Sequence, residues 1–540
     1  MLPGFAVSGA QTPKTLRVVL GATGTAVEWD VARAMDVTSV TFITMMYPSL
    51  VPRNELTAEP QHGMATAWTI SEDFRTYTFT IKQGVPWVVY DFTTGQVAPV
   101  TDAAGHVRYV TAHDFVYGTL RTMDPATRAD YGYMAAQWIA GGDAFYKGEG
   151  RVEDVQIAAL DDYTLQITAP EPAGFLLQVY GMWVFTAQPQ WAIERYGAAW
   201  TLPGNYPSYG SFVLKSYAPG ARVVVVKNPY WPGTESHPIP EIDVIEARML
   251  AEAVALVAFE TGEVDVIETV SSSALDRLRV ERPDELYFGP SDCTYYYGFN
   301  VEKPPVDNVH LRRALSLAID REKLVATVTK GGQQPAGFFT LPTFAASPTQ
   351  AEYPDLGIHS DPQQAQAELA LYFAETGTTT DTMPPLTLTH NINESHTLVA
   401  QSVQRMWRET LGIEVKIESQ EWRTYLDLLA TDAPQIWRLG WCADYPDPNS
   451  FLGSVFHSKF GSNNTNWRNE EFDALIDKAA RLLDTQQRRD LYARAEHILT
   501  WEDAAIAPIY FYATQSLISD QVTFTPSILG IQRYDKWHVQ

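Results

Sequence analysis

Apolar residues recur along this chain with two different periods, and the two periods separate strands from helices. Thr15–Leu20 is a mainly apolar, β-branched run closed by Gly21, the pattern of a buried strand. Thr76–Lys82 (TYTFTIK) alternates apolar and polar positions and reads as a half-buried strand, as do Thr164–Thr168 and Arg222–Lys227 (RVVVVK). Helical spacing governs Ala112–Met123, which follows Thr111, a good N-cap, and carries Phe115, Val116 and Leu120 along one side. His310–Val328 reads as one long amphipathic helix, with Leu311, Leu315 and Ile319 at helical intervals. Further helices are expected at Ser395–Leu411, Glu470–Leu483 and Gln486–Trp501. Pro and Gly cluster at Thr201–Gly210, Asn228–Pro240 and Gln334–Pro354, while Val88–Val110, polar and Gly-containing, reads as a loop excursion. No internal repeat or low-complexity stretch interrupts this order. Strands and helices mix without a strict βαβ rhythm, which points to α/β or α+β lobes.

Composition narrows the classes. At about 150 residues per domain, 540 residues suggest roughly three to four domains. A chain of this size buries roughly 78% of its unfolded surface, so it needs no staple or metal to make a core. Lys and Arg number 39 against 64 Asp and Glu, a formal charge of −25 that argues against a phosphate-backbone binder and against docking on an anionic membrane. With 45% hydrophobic and 19% charged residues the chain is not intrinsically disordered, and it has no apolar run of about 18 residues to span a bilayer. Its 15 Trp, 27 Tyr and 23 Phe suit either a surface that grips a ligand or simply large cores. Cys293 and Cys442 are the only cysteines, compatible with two buried thiols or one disulfide. Met1–Ala10 has no basic, apolar leader, so a leader was either removed or never present.

Most catalytic motifs are missing. There is no Walker A loop, HExxH helix or GxSxG elbow; Gly21–Gly24 is not a dinucleotide fingerprint, and His106 and His113 bracket no metal-ligand spacing. An active site dispersed along the chain stays open, because triads need not be local in sequence. The segment 436–452 carries the clearest chemistry. An apolar, strand-like stretch holding Arg438, Gly440 and Trp441 ends in a Pro-rich turn with Asp444 and Asp447. Such a strand is able to pair with an extended peptide and meet its ammonium in the acidic turn, with Gly440 permitting close approach of a backbone. It also reads as an ordinary strand before a turn.

Gly440–Leu452 (GWCADYPDPNSFL) and Cys293–Arg321 (CTYYYGFNVEKPPVDNVHLRRALSLAIDR) resemble the oligopeptide-binding proteins of ABC importers, the peptide/nickel solute-binding family. Val110–Gly118, Trp68–Lys82 and Tyr209–Asn228 match in the family's order. The resemblance implies an α/β, periplasmic-binding-protein-like fold: two hinged lobes that close on the ligand, plus an inserted domain, with mixed β-sheets flanked by helices. The first lobe would comprise 14–47, 187–292 and 508–540, the inserted domain 48–186, and the third lobe 293–507. It further implies that Asp444 holds a peptide's α-amino group and that Gly440 and Cys442 offer main-chain partners. Met35–Val37 would pair from across the cleft. Tyr131, Tyr296, His396, Trp422, Arg438 and Trp441 would line side-chain pockets or place the carboxylate, and Cys293 and Cys442 would form a disulfide.

The resemblance also implies a non-enzyme without cofactor or metal, a monomer that binds no nucleic acid. It would be periplasmic or otherwise extracytoplasmic, delivering oligopeptides to permease and ATPase subunits. Two departures bear on the ligand's far end: a second family arginine falls here on Leu429, and a family lysine on Thr329, next to Lys330. The charge of −25 would steer cationic peptides. The same fold binding a nickel chelate, haem or an oligosaccharide is the alternative, and Asp444 discriminates, because a free α-amine is what a carboxylate there explains. An enzyme or chaperone is the third reading, separable by turnover of a bound peptide.

Overall fold

The computed structural model describes residues 12–21, 27–459, 461–528 and 531–540; the N-terminal decapeptide read above for a leader lies outside them. Strands dominate where β-branched and aromatic residues cluster, and most of them join one mixed, eleven-stranded sheet. From one edge its order is Val415–Gln420, Leu386–Asn391, Ile436–Cys442, Leu286–Phe299, Ile506–Ile518, Val266–Ile267, Thr15–Val19, Val244–Arg248, Arg222–Lys227 and Phe212–Ala218, with Gln334–Pro335 added beside Ile506–Ile518. A four-stranded antiparallel sheet, ordered Ala65–Ile70, Thr76–Ile81, Thr164–Thr168 and Ile157–Asp161, lies within the segment 48–186.

Two strands are much longer than the rest. Leu286–Phe299 (14 residues) and Ile506–Ile518 (13 residues) pair antiparallel from Leu286 opposite Leu517 to Gly298 opposite Ile506. The boundaries expected at 292/293 and 507/508 therefore fall inside continuous strands. Their ladder is irregular at two places: it slips between Tyr295 and Tyr296, and pairing jumps from Pro290–Ala513 to Thr294–Phe511, so Ser291, Asp292 and Cys293 bulge out of register. On its other side Leu286–Phe299 pairs with Ile436–Cys442, and that ladder ends with Cys293 opposite Cys442. The two cysteines form a disulfide, their Cα atoms 3.9 Å apart.

Local physics explains where the expected elements hold and where they shift. Ala112–Met123 begins at Thr111 in a capping box with Asp114. Thr164–Thr168 and Arg222–Lys227 form as read. The expected helix His310–Val328 is broken: Val309–Leu317 ends, Asp320 caps a new turn at Arg321–Leu324, and a wide turn follows over Val325–Thr329. The buried Arg321 guanidinium holds the break, donating to the carbonyls of Ser316, Ile319 and Pro508. The apolar period continues across the interruption, which is why the pattern alone does not reveal it. Val88–Val110 is not simply a loop. Val88–Asp91 and Gln96–Pro99 pair as a hairpin, reversed at Gly95 (φ 70°), with Val88 and Tyr90 packed on Val213. Only one face is covered, so its polar composition hid it.

The Cys293–Cys442 bond closes a loop of 149 residues. For that length the chain-entropy account sets a ceiling of about 5 kcal/mol on its stabilisation. The double variant Cys293→Ala/Cys442→Ala should unfold at lower urea concentration, losing less than that ceiling, and oxidised protein should show no titratable thiol. Equal unfolding midpoints for variant and wild type would contradict a stabilising bond.

Candidate functional site

The strand Ile436–Cys442 has one unoccupied edge. Leu386–Asn391 runs beside it only at Leu388–Ile436 and Thr389–Trp437, after which the chain turns away into the helix Glu394–Leu411. From Arg438 onward, among the described residues, that edge pairs with no strand, and Leu439, Gly440, Trp441 and Cys442 are half-buried. Main-chain groups along such an edge are ready to pair with another extended chain.

Beyond Cys442 the turn is held from two sides. Ala443 N–H donates to the Asp292 carbonyl at 2.9 Å, tying the turn to the bulge opposite. Trp441 Nε1 donates to the Ser450 carbonyl (2.7 Å), and Asp444 N–H to the Ser450 hydroxyl (2.9 Å). The two turn carboxylates then meet different fates. Asp447 accepts from the Arg488 guanidinium, from Tyr492 Oη and from Asn449 N–H, and is fully engaged. Asp444 is also buried, yet its Oδ2 has no hydrogen-bond partner.

Three further groups surround Asp444. Asp292, on the bulge, is 3% exposed and its Oδ2 is likewise unpartnered. Its other carboxylate oxygen lies 3.7 Å from Cys293 Sγ, which is held in the disulfide and has no proton to donate. Asp292 and the two cysteine sulfurs lie within 4.8 Å of one another, but the sulfurs are committed to the disulfide and leave one carboxylate. Arg53 faces both carboxylates with its Nη1 buried and unpartnered. The Tyr131 hydroxyl approaches Asp444, and its ring lies 5.2 Å from that of Trp183, whose Nε1 donates to the Ala34 carbonyl. Burial pushes Asp444 and Asp292 up to about 7 each, although Arg53 favours both charged forms. Burial lowers Arg53 in turn.

A second polar cluster lies further back along the strand. The Arg438 guanidinium sits 4.5 Å above the Tyr295 ring, donates from Nη1 to Asn391 Oδ1 (3.2 Å) and from Nη2 to Tyr512 Oη, and leaves Nε unpartnered. His396, near the start of Glu394–Leu411, is buried with Nδ1 unpartnered and its ring 5.6 Å from Tyr295. Burial and then the Arg438 charge hold it well below its ordinary value, so it is neutral at pH 7. Tyr425 Oη bonds both the N–H and the carbonyl of Arg438, fixing that residue's backbone.

The residues expected from sequence thus separate. Asp444 and Tyr131 come together at one end, and Arg438 and His396 at the other. Met35 and Val37 are exposed, 40% and 46%, just before and at the start of the helix Val37–Met46. Trp422 is exposed on the first turn of Trp422–Asp432, its ring 6.4 Å from Tyr425. Tyr296 is placed elsewhere: only 1% exposed, it packs against Phe339, Trp437 and Phe456 in the core, because successive strand residues face opposite ways. Its neighbour Tyr295 takes the place beside Arg438. At Gly440 the space that a side chain would fill is taken by Tyr512, whose hydroxyl would lie 2.9 Å from a Cβ there. The glycine therefore lets Tyr512 reach Arg438. Sequence reasoning missed Arg53, Asp292, Tyr295 and Tyr512. Asp292 adjoins Cys293, the one signal that marks it; Arg53 carries none.

Residues 59–463 match the family of bacterial extracellular solute-binding proteins, family 5. The periplasmic oligopeptide-binding protein OppA of Escherichia coli (strain K12) is 31% identical over 474 residues, covering 87% of this chain and 82% of the relative. The structure of the Escherichia coli murein tripeptide binding protein MppA is similar with a TM-score of 0.85 and 27% identity, over 98% of this chain and 99% of that one. Against the unliganded open form of MppA, covering 98% of both chains at 27% identity, the TM-score is 0.70.

The two turn carboxylates should answer oppositely to neutralisation. Asp447→Asn strands the buried Arg488 and should lose about 3–5 kcal/mol of stability. Asp444→Asn imitates the protonated acid. The folded-state value of about 7 stands above the ordinary 3.8, so ionising Asp444 costs stability as pH rises through that window. Unliganded Asp444→Asn should match wild type near pH 4 and exceed it at pH 8 by about 1 kcal/mol or more. Thermal unfolding at both pH values reads this out; an Asp444→Asn protein less stable than wild type at pH 8 contradicts it.

Proposed function

Since this chain belongs to the bacterial extracellular solute-binding proteins of family 5, we propose that it captures oligopeptides in an extended conformation between its lobes and delivers them to an ABC importer. A binder that accepts many sequences does best to place its directional bonds on the groups all peptides share, the backbone and the termini. The unoccupied edge of Ile436–Cys442 suits the backbone. The observation that carries the reading is the unpartnered Oδ2 of buried Asp444 at the end of that edge. A peptide lying along the strand brings its α-ammonium there and supplies the charge the carboxylate lacks. Tyr131 and Arg53, from the inserted segment, close over it from the other side, so ammonium capture and lobe closure support each other.

At the far end, Arg438 and neutral His396 offer donors for a carboxylate or for a polar side chain, through the unpartnered Nε and Nδ1. Met35–Val37 face the cleft from the first lobe, and exposed Trp422 flanks it. The work is capture rather than turnover, and its setting is periplasmic or otherwise outside the cytoplasm. The two long strands shared by both halves are the place about which the lobes swing.

The test is calorimetry with tri-, tetra- and penta-alanine carrying free or acetylated N-termini. Removing one partner of a buried, charge-assisted pair typically costs 2–5 kcal/mol. Asp444→Asn should therefore weaken binding by roughly 30-fold or more. Acetylation should cost wild type a similar factor and the variant far less, a non-additivity that marks direct contact. Free and acetylated peptides bound equally by wild type would sink the assignment of Asp444.

A further inference from the structure

The ammonium site holds more charge than one carboxylate. Asp292, on the bulge of one strand, and Asp444, in the turn after its neighbour, approach it on either side of the Cys293–Cys442 bond, and each leaves Oδ2 buried without a partner. One cation, Arg53, faces both. The other titratable groups around Asp444 are the hydroxyls of Tyr131, Tyr133 and Tyr445, all held neutral by burial. With both acids ionised the cluster carries two negative charges and one positive, a net of −1 in a site closed to water. A buried net charge of that kind takes up a counter-charge or a proton.

We infer that Asp292 and Arg53 complete the ammonium site, so that it holds one monocation at a time, a proton when empty and a peptide α-ammonium when filled, and that peptide binding near neutral pH expels the proton. This rests on the reading of Asp444 above. The balance is simple: the O–H bond of one protonated aspartic acid breaks, its proton passes to the buffer, and the carboxylate left behind accepts the N–H of the ammonium. Without Asp292 the Asp444–Arg53 pair is already neutral and has no proton to give. Asp292 thus makes the site discriminate for a cationic N-terminus. It also makes retention depend on pH: acid returns the proton and competes with the peptide.

The burial that raises both acids to about 7 sets the window. Affinity for a free N-terminus should drop about five- to tenfold from pH 7 to pH 6, as expected when one proton competes for the site. Calorimetry of the alanine peptides in buffers of different ionisation enthalpy counts the proton. Wild type should release about one at pH 6. The count should pass through zero at about pH 7.4, midway between the site and the peptide's own amine, whose ordinary value is about 7.7–8.0, and become a net uptake by pH 8. In Asp292→Asn the release at pH 6 should fall to nearly none. Buffer-independent enthalpy at pH 6 in wild type, with acetylation still weakening binding, overturns the inference and leaves Asp444 as the anchor. Release that persists undiminished in Asp292→Asn overturns the part assigned to Asp292. Insensitivity to acetylation, or no binding by any of these peptides, removes the reading of Asp444 and the inference together.

Discussion

A carboxylate taken out of water demands a partner, and the binding region of this protein is organised around two that lack a full one. Desolvating an ionised acid costs several kcal/mol, recovered only through good hydrogen bonds and an opposite charge. Asp447, in the same turn, has both from Arg488, Tyr492 and Asn449. Asp444 and Asp292 share one guanidinium and each keep an unpartnered oxygen. Folding leaves this deficit in place, and a ligand cation reaching these oxygens would remove it.

The surrounding architecture keeps those oxygens where they are. A bulge in Leu286–Phe299 frees Asp292 from the neighbouring ladder, its carbonyl holds Ala443, and the disulfide joins the two strands one residue from Asp292 and two from Asp444. The larger irregularity thus falls at Asp292, while the same strand pairs regularly from Thr294 to Phe299 with Ile436–Trp441. Tertiary bonds from several elements restrain the turn, so the ammonium site needs little ordering when ligand arrives.

The far end of the strand follows a different rule. Arg438 is surrounded by neutral acceptors and aromatic faces rather than acids: Tyr295 beneath it, Tyr512 and Asn391 beside it, His396 uncharged nearby. A buried cation satisfied by dipoles and π-faces retains attraction for an anion, because no formal counter-charge competes. Along one strand the protein therefore presents an acidic end and a basic end, as the proposed capture of a peptide by its two termini requires.

Periodicity and capping, which act over a few residues, were enough to place many of the strands and helices: Thr164–Thr168, Arg222–Lys227 and the capped helix after Thr111 stand where their patterns put them. The resemblance of Gly440–Leu452 was enough to single out the acidic turn and the cysteine pair. Tertiary structure decided what those local forces cannot reach. It holds the break after Leu317, because Arg321 ties the local carbonyls of Ser316 and Ile319 to that of Pro508 across the fold. It buried Tyr296 and turned Tyr295 toward Arg438, because pairing between distant strands sets which face is the core. It also supplies the physical difference between Asp444, which the resemblance named, and Asp447, two acids in one turn that periodicity and spacing do not rank. Arg488 lies within reach of Asp447, while Arg53 and Asp292 converge on Asp444. Electrostatic partnership depends on distance in space, and only the folded chain specifies that.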